Sequence, residues 1–373
     1  MKSNYKKLGD YIRLVDERNT DGSVTRLLGV SIEKKFIESI ANTIGTDMSI
    51  YKIVRKGQFA YGPVTSRNGD KVSIALLEEE KCIISSSYSV FEIVNMQELL
   101  PEYLNLWFKR PEFDRYARFH SHGSAREIFD WEEMCNVELP VPEIEEQRKI
   151  VEAYNTIERR IALKRKINDN LVATAKASLL KLFIENDNIP KQQIGHFCFE
   201  VKAGGTPNRT MHSYWNNGLY PWVKNGEVKN NIIIDTEEFI SQSGYENSSA
   251  KLVKKHSVLM AMYCVSTPQL AYTDIDVTTN QAVCAMTTRN KLQAAYLYYY
   301  LMFFGQDLIN DANGSAQINL SKELISNYCI PIPDDAMLSN MNLIENLEYR
   351  TQVSKEIVAL TSLSQLLIAN LSR

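Results

Sequence analysis

Two long stretches of the chain hold neither proline nor glycine and carry apolar residues at helical spacing. In the first, Ile150, Tyr154, Ile157, Ile161, Asn168, Leu171, Ala175 and Leu182 fall on one seam at steps of three, four or seven, which is coiled-coil patterning. In the second, Leu343, Leu347, Val353, Ile357, Leu360, Leu367 and Leu371 make the stripe. The spacing predicts one helix over about 142–185, entered at Pro142 with Glu143, Glu145 and Glu146 at the positive end of its dipole. A second is predicted from Asp334 or Asp335 to the end of the chain. Helices this long with one greasy face do not hold together alone in water, so each is expected to bury its stripe against the other, antiparallel. Asn168, on the seam, is expected to set register at some cost in stability.

Ahead of each stretch the pattern shortens. Runs over 49–54 and 88–94 are rich in β-formers and are separated by turn clusters such as Arg67-Asn68-Gly69-Asp70. A helix over about 99–116 is predicted, with Pro101 in its first turn and Leu104, Trp107 and Phe108 at core spacing. Tyr296-Leu297-Tyr298-Tyr299-Tyr300 and Met302-Phe303-Phe304 fit a helix packed on most sides. The pattern also occurs twice. Gly123-Ser124-Ala125 and Gly314-Ser315-Ala316 each precede a hydrophobic-proline tetrad, Leu139-Pro140-Val141-Pro142 and Ile330-Pro331-Ile332-Pro333, at one offset of about half the chain. Tyr103-Leu104 matches Tyr296-Leu297 at nearly the same offset. The prediction is an α+β chain. Two globular domains, 1–141 and 186–332, each mainly antiparallel sheet plus helices, are separated by two long antiparallel coiled-coil helices, 142–185 and 333–373, in a pseudo-two-fold repeat. Roughly 40 residues of helix span on the order of 60 Å. A duplicated reader on two rods suits an extended, two-fold ligand, and double-stranded DNA fits that description.

Composition complicates this picture. Lys and Arg number 42 against 45 Asp and Glu, a net charge of −3, so no general excess of positive charge draws the chain to phosphates. If it holds DNA, basic residues must be concentrated on one face, or a partner must add positive surface. No apolar run is long enough for a transmembrane span and the start has no signal-peptide core, so a cytoplasmic chain is expected. The six cysteines are scattered, without C-x-x-C or a Cys/His cluster; reduced, mostly buried thiols and no metal site are expected.

In the second domain, Gly204-Gly205-Thr206-Pro207 leads to Tyr214-Trp215 and Pro221-Trp222-Val223-Lys224. Asn247-Ser248-Ser249-Ala250-Lys251-Leu252, Val258-Leu259-Met260-Ala261-Met262-Tyr263 and Thr278-Thr279-Asn280-Gln281-Ala282-Val283 follow. This string resembles the target-recognition domains of specificity (S) subunits of type I restriction–modification systems. The first domain, with Leu8-Gly9-Asp10-Tyr11-Ile12, Asn42-Thr43-Ile44-Gly45-Thr46-Asp47, Lys56-Gly57-Gln58-Phe59-Ala60 and Tyr88-Ser89-Val90-Phe91-Glu92, looks like a different recognition domain of the same family. Pro140-Val141-Pro142 followed by Glu146-Gln147-Arg148-Lys149-Ile150 is similar to the family's entry into its long helix. The resemblance covers nearly the whole chain. It implies a subunit that reads a bipartite DNA target with an unread spacer, its helices serving as ruler and as docking surface for two methyltransferase subunits. It implies that S-adenosylmethionine and adenine methylation belong to those partners, that this chain binds no cofactor itself, and that restriction subunits, where present, join the assembly. Glu146, Gln147 and Arg148 are the expected partner contacts. In the second repeat Leu338-Ser339 replace Gln147-Arg148, and Cys264 and Gln269 stand where many relatives carry glycines.

Candidate DNA contacts follow from side-chain chemistry. Arg and Asn can each make two hydrogen bonds to a base edge, whereas Lys more often meets phosphate. In the first domain these are Arg67, Asn68 and Lys71 in a turn, then Arg115, Arg118, His120, His122, Ser124 and Arg126 around Gly123. In the second they are Thr206, Asn208 and Arg209 after the Gly-Gly pair, Lys224, Asn225 and Lys229 after Trp222, and Ser248, Lys251, Ser266, Thr267 and Gln269 in later loops. Ser315 and Gln317 repeat the first domain's Gly-Ser-Ala loop. Trp215 and Trp222 read as core anchors rather than base stackers; Asn280-Gln281 could read adenine or equally serve backbone groups in a strand, and the structural reading is taken. No Gly-Lys-Ser/Thr follows the Gly-Gly pair, so it is no P-loop. An adenine-holding Asn-Pro-Pro-Tyr/Phe motif and a nuclease constellation are both missing, and a non-catalytic chain is expected. Two other readings use the same residues: a specificity chain for an orphan or phage-exclusion methyltransferase, and a protein–protein scaffold, favoured by the negative net charge.

Overall fold

A computed structural model gives the structure of the chain and describes residues 5–39, 45–66, 68–123, 127–186, 188–263, 266–311 and 319–372. Two compact units divide it: residues 1–160 with 360–373, and residues 161–359.

In the first unit, strands Ile12–Val15, Ser89–Ile93, Phe59–Tyr61 and Ile74–Leu76 lie side by side in that order, antiparallel throughout. Phe59 faces Phe91 across the ladder with rings stacked 5.0 Å apart, an aromatic cross-strand pair of the kind that pins register. Helix α1 (Pro101–Phe108) adds Tyr103, Leu104 and Phe108 to the same core. The helix expected over 99–116 is in fact two. Pro111 has no N–H and its ring disfavours helical geometry in Arg110, so the chain turns and restarts as α2 (Pro111–Phe119). The run over 49–54 is likewise only partly strand: Met48–Ile50 is a 3-10 turn capped by Asp47, and the strand is Lys52–Arg55.

In the second unit, strands Glu200–Ala203, Val283–Thr287, Val258–Ala261, Leu270–Thr273 and Asn231–Ile233 form a five-stranded sheet, antiparallel but for the last pair. A smaller sheet orders Glu238–Ile240, Tyr220–Val223 and Thr278–Thr279. Val258–Ala261 and Leu270–Thr273 are buried at every residue, so period-2 alternation is absent from their sequences.

The duplication is explicit in how each domain closes. Tyr5–Lys7 pairs with Glu138–Pro140, and Lys191–Gln193 pairs with Cys329–Pro331. The hydroxyl of Tyr103 donates to the Pro140 carbonyl at 3.1 Å, and that of Tyr296 to the Pro331 carbonyl at 2.5 Å. Gly9 and Gly195 follow the two first strands; a Cβ on Gly9 would sit 2.8 Å from Cys135 Cβ, and one on Gly195 would sit 3.2 Å from the Ser326 carbonyl.

Helix α3 (Ile144–Glu185) is unbroken over 42 residues. Its Ile150, Val151 and Tyr154 pack on the first domain's core, whereas Ala175 and Leu179 belong to the second. There Lys176 lies over Phe303 and Phe183 packs edge-on against Tyr300 and Phe304 of α4 (Lys291–Phe304), the tyrosine-rich helix, of which Ala294 through Leu301 are all buried. Helix α5 (Leu343–Ala369) runs antiparallel to α3 within the second unit: Asn346 Nδ2 donates to the Leu171 carbonyl at 2.9 Å, Arg350 Nε to Asn168 Oδ1 at 2.9 Å, and Lys164 pairs with Glu356 at 2.7 Å. Asn168 on the seam is thus met by a buried arginine. The second helix is not continuous from 334 or 335. Asp334 caps a short helix, Asp335–Ser339, and α5 begins only after Asn342, whose φ of 52° is the left-handed conformation asparagine tolerates.

Candidate nucleic-acid interface

In the first unit, helix α2 ends at Phe119 and brings Arg115 and Arg118 to one wall of a cleft of about 1780 Å³. Lys71 lines it too, and Arg148 contributes from α3. Asn68, His120 and His122 are not among its lining residues. Sequence reasoning missed Lys34, Lys35, Lys56, Lys109 and Arg159, which complete a lining of nine cations against seven carboxylates. A chain of net charge −3 therefore holds a locally positive surface. Most of these cations are already paired: Lys71 with Glu33 at 2.8 Å, Arg115 with Glu112 at 3.0 Å, Arg118 with Glu127, and Arg159 with Glu152 at 2.5 Å. Such exposed pairs are worth little and can be exchanged for phosphate.

Lys34 is different. It is buried, its ammonium donates to Asp114 Oδ1 at 2.5 Å and to the Val72 carbonyl at 2.6 Å, and burial lowers its pKa with Asp114 opposing. It ties the 31–35 turn to α2. Lys109 lies over the Tyr154 ring and donates to its hydroxyl at 3.0 Å, its pKa also lowered by burial. His120 stacks on Tyr116 and meets Glu133 at 2.9 Å. Phe119 is 81% exposed on the cleft's rim. Asn68 Nδ2 donates weakly to the Val64 carbonyl at 3.5 Å, and the backbone of His122 bridges Ile128. Arg67, Ser124, Arg126, Ser315 and Gln317 lie outside the described residues, as does Cys264.

In the second unit the candidates divide into groups. The Arg209 guanidinium lies 3.7 Å from the Trp215 ring centroid and 4.7 Å from that of Trp222, and pairs with Glu238. Lys224 reaches Glu237 at 2.7 Å and Glu238 at 3.1 Å. The hydrogen bond from Arg209, with Lys224 assisting, holds the Glu238 carboxyl below the usual carboxylate range. Trp222 is buried and donates to the Gly205 carbonyl at 3.0 Å, an anchor as its sequence context indicated. Thr206 bonds Gln281, and Asn208 Oδ1 accepts from the Thr210 amide at 3.0 Å. Lys251 lines a smaller cleft with Lys202 and Lys322. Ser248 caps the Ala250 amide, the Ser266 carbonyl accepts from Gln306, and Gln269 donates to Thr267 at 3.0 Å. Lys229 is exposed.

Local bracing accounts for several of these residues, and one expectation, Gln147 as a partner contact, is corrected. Asn225 is half-buried: its Nδ2 donates to the Tyr263 carbonyl at 3.1 Å and its Oδ1 accepts from the Met262 amide at 3.1 Å, so it braces a loop. The Gly204-Gly205 pair permits close approach within the protein, because added Cβ atoms would lie 2.2 Å from Thr279 and from Ser249. Gln147 is fully buried: its amide donates to the Glu98 carbonyl at 2.7 Å and the Pro142 carbonyl at 2.8 Å and accepts from the Leu100 amide at 2.9 Å. It braces the entry to α3 and offers a partner nothing, while Glu146 and Arg148 beside it are exposed. Leu338, 191 positions on, is also buried, so the exchange of Gln for Leu alters an internal brace.

Two domains closed by the same pinned strand pair, the first carrying a cleft with cations in excess, define a duplicated architecture. The model of the type I restriction modification DNA specificity domain matches twice, over residues 32–173 and 193–337, and the chain belongs to that family. It is 22% identical over 137 residues to the EcoR124I/EcoR124II specificity subunit of Escherichia coli, covering 35% of this chain and 34% of that protein. It is 22% identical over 304 residues to the MjaIX specificity subunit of Methanocaldococcus jannaschii, covering 75% and 70%. The first alignment thus spans about a third of the relative's length. Among solved structures, the S subunit of a type I restriction-modification system from M. genitalium superposes with a TM-score of 0.59 at 14% identity, covering 99% of this chain and 96% of that one, a likeness of fold. Among the described residues no helix is long and apolar enough to cross a membrane, and no group of His, Cys, Asp and Glu could hold a metal.

Proposed function

We propose that the chain is the sequence-specific DNA-binding subunit of a type I restriction–modification complex in the cytoplasm. Each domain reads one half of a bipartite duplex target, and the residues between the halves go unread. Helices α3 and α5 act as ruler and dock two methyltransferase subunits, and restriction subunits where the system has them. The chain itself is non-catalytic; S-adenosylmethionine and adenine methylation belong to the partners. The observation that carries this reading is the family's domain occurring twice in the chain, each copy closed by the same kind of strand pair. The first domain's cleft, with cations in excess, supplies a surface suited to a phosphate backbone. Co-expression with the cognate methyltransferase and genome-wide mapping of methylated adenines tests it. One two-part motif with a fixed gap is the expected result. Methylation at background level would favour a scaffold without DNA readout.

A further inference from the structure

Arg350, on α5, is 1% exposed. Its partners among the described residues are all neutral: Asn168 Oδ1 at 2.9 Å, the hydroxyls of Tyr298 and Tyr299 each at 3.4 Å, and the Asn230 carbonyl at 3.4 Å. A guanidinium carries its donors in one rigid plane, so partners on α3, α4 and a loop together fix where that plane lies. Burying a charge is costly unless hydrogen bonds satisfy it, which makes this arrangement intolerant of a shift in any one partner.

Asn230 carries the constraint onward. Its φ is 55°, its Nδ2 donates to the Pro268 carbonyl at 3.3 Å, and its Oδ1 accepts from the Leu270 amide at 3.0 Å. Tyr298 also holds the next carbonyl, that of Asn231, at 3.2 Å. Lys229 precedes this brace, and Thr267 and Gln269 sit in the loop it grips. The position 191 earlier than Arg350 is Arg159, which is exposed and paired with Glu152, so the first repeat has no copy of the brace there.

We infer that Arg350 is a positioning residue for the second domain, coupling the α3–α5 pair through Asn230 to the loop that carries Thr267 and Gln269. Its importance to specificity rests on the DNA-reading role proposed above; the mechanical coupling does not. Whatever displaces the α3–α5 pair at Arg350 then bears on the second domain's loop through Asn230.

The full chain carrying Arg350→Met, which keeps a long side chain and removes the donors, tests this by amide hydrogen exchange. Leu347→Ala is the control, since it weakens the same core and its side chain has no part in the hydrogen bonds of Arg350 and Asn230. Exchange at Leu270 is expected to rise about fivefold, as for one hydrogen bond lost, with Ala285 unchanged. Asn168→Ala, which removes the acceptor seating the guanidinium, must raise the same amide's exchange should Arg350→Met fail to fold. Unchanged protection at Leu270, or an equal rise in Leu347→Ala, overturns the coupling. In the methyltransferase complex, Arg350→Met should relax the second half-site about tenfold and leave the first intact. Equal loss at both halves overturns the specificity role. A wild-type complex with no two-part motif defeats the DNA-reading proposal instead, and the exchange result alone then decides the coupling.

Discussion

Gln147 shows how a residue's chemistry can be visible while its direction is not. A polar residue between Glu146 and Arg148 at a helix entry reads as surface, yet its amide is enclosed by Glu98, Leu100 and Pro142. Nothing in a single sequence announces that the chain preceding α1 folds back over that position. Gln147→Ala should therefore destabilise the protein by about 1–3 kcal/mol, because three part-buried backbone groups lose their partner, whereas Arg148→Ala should leave the melting temperature nearly unchanged. A melting curve for each variant checks the contrast. Arg209 and Glu238 supply a pH-dependent case. Glu238 titrates below its ordinary value, so its contribution is present above the unfolded carboxylate's pKa and is lost as pH falls through the folded one. Glu238→Gln should thus lower stability at pH 7, and the gap from wild type should narrow as pH falls below about 4.5. A gap that widens in acid would contradict the assignment.

At the level of elements, long periodic segments were readable and breaks were not. The seam on α3 was evident because eight residues at coiled-coil spacing repeat over more than thirty positions. Pro111 and the Asn340-Met341-Asn342 run were present as stop signals, but apolar periodicity continued across both and concealed the breaks. The fully buried strands of the second domain gave only continuous apolar runs, which fit strand or helix equally well. Site legibility was poorer still. The positive cleft draws on the turn at 31–35, the strand residues near Lys56 and α3, segments that only the fold brings together. The glycine pair that follows the first strand of each domain gives an element-scale prediction. Gly9→Ala should cost about 1–3 kcal/mol through overlap with Cys135, and Gly195→Ala less, since its nearest neighbour is a carbonyl at 3.2 Å. Reversal of that order in thermal unfolding would mean that the two closures do not relax alike.

For the molecule as a whole, charge distribution matters more than charge balance. With ion pairs lining the first cleft, DNA affinity should fall steeply with salt, and Lys35→Ala with Lys56→Ala should flatten that slope by about two without altering sequence preference. Binding isotherms at several salt concentrations give the slope. If the helices set the gap between half-sites, one heptad added to α3 with a matched heptad in α5 should widen it by about 10 Å, or about three base pairs. An unchanged gap in an active complex would remove the ruler from the proposal. The way the first core is finished has a further effect. Leu371 lies within it, near the strand that holds Leu139. During translation that strand leaves the ribosome before the whole second domain has been made, and Leu371 follows after it. That one position of the first core can be filled only after the later domain and the returning helix have emerged, so the domain made first is the one completed last.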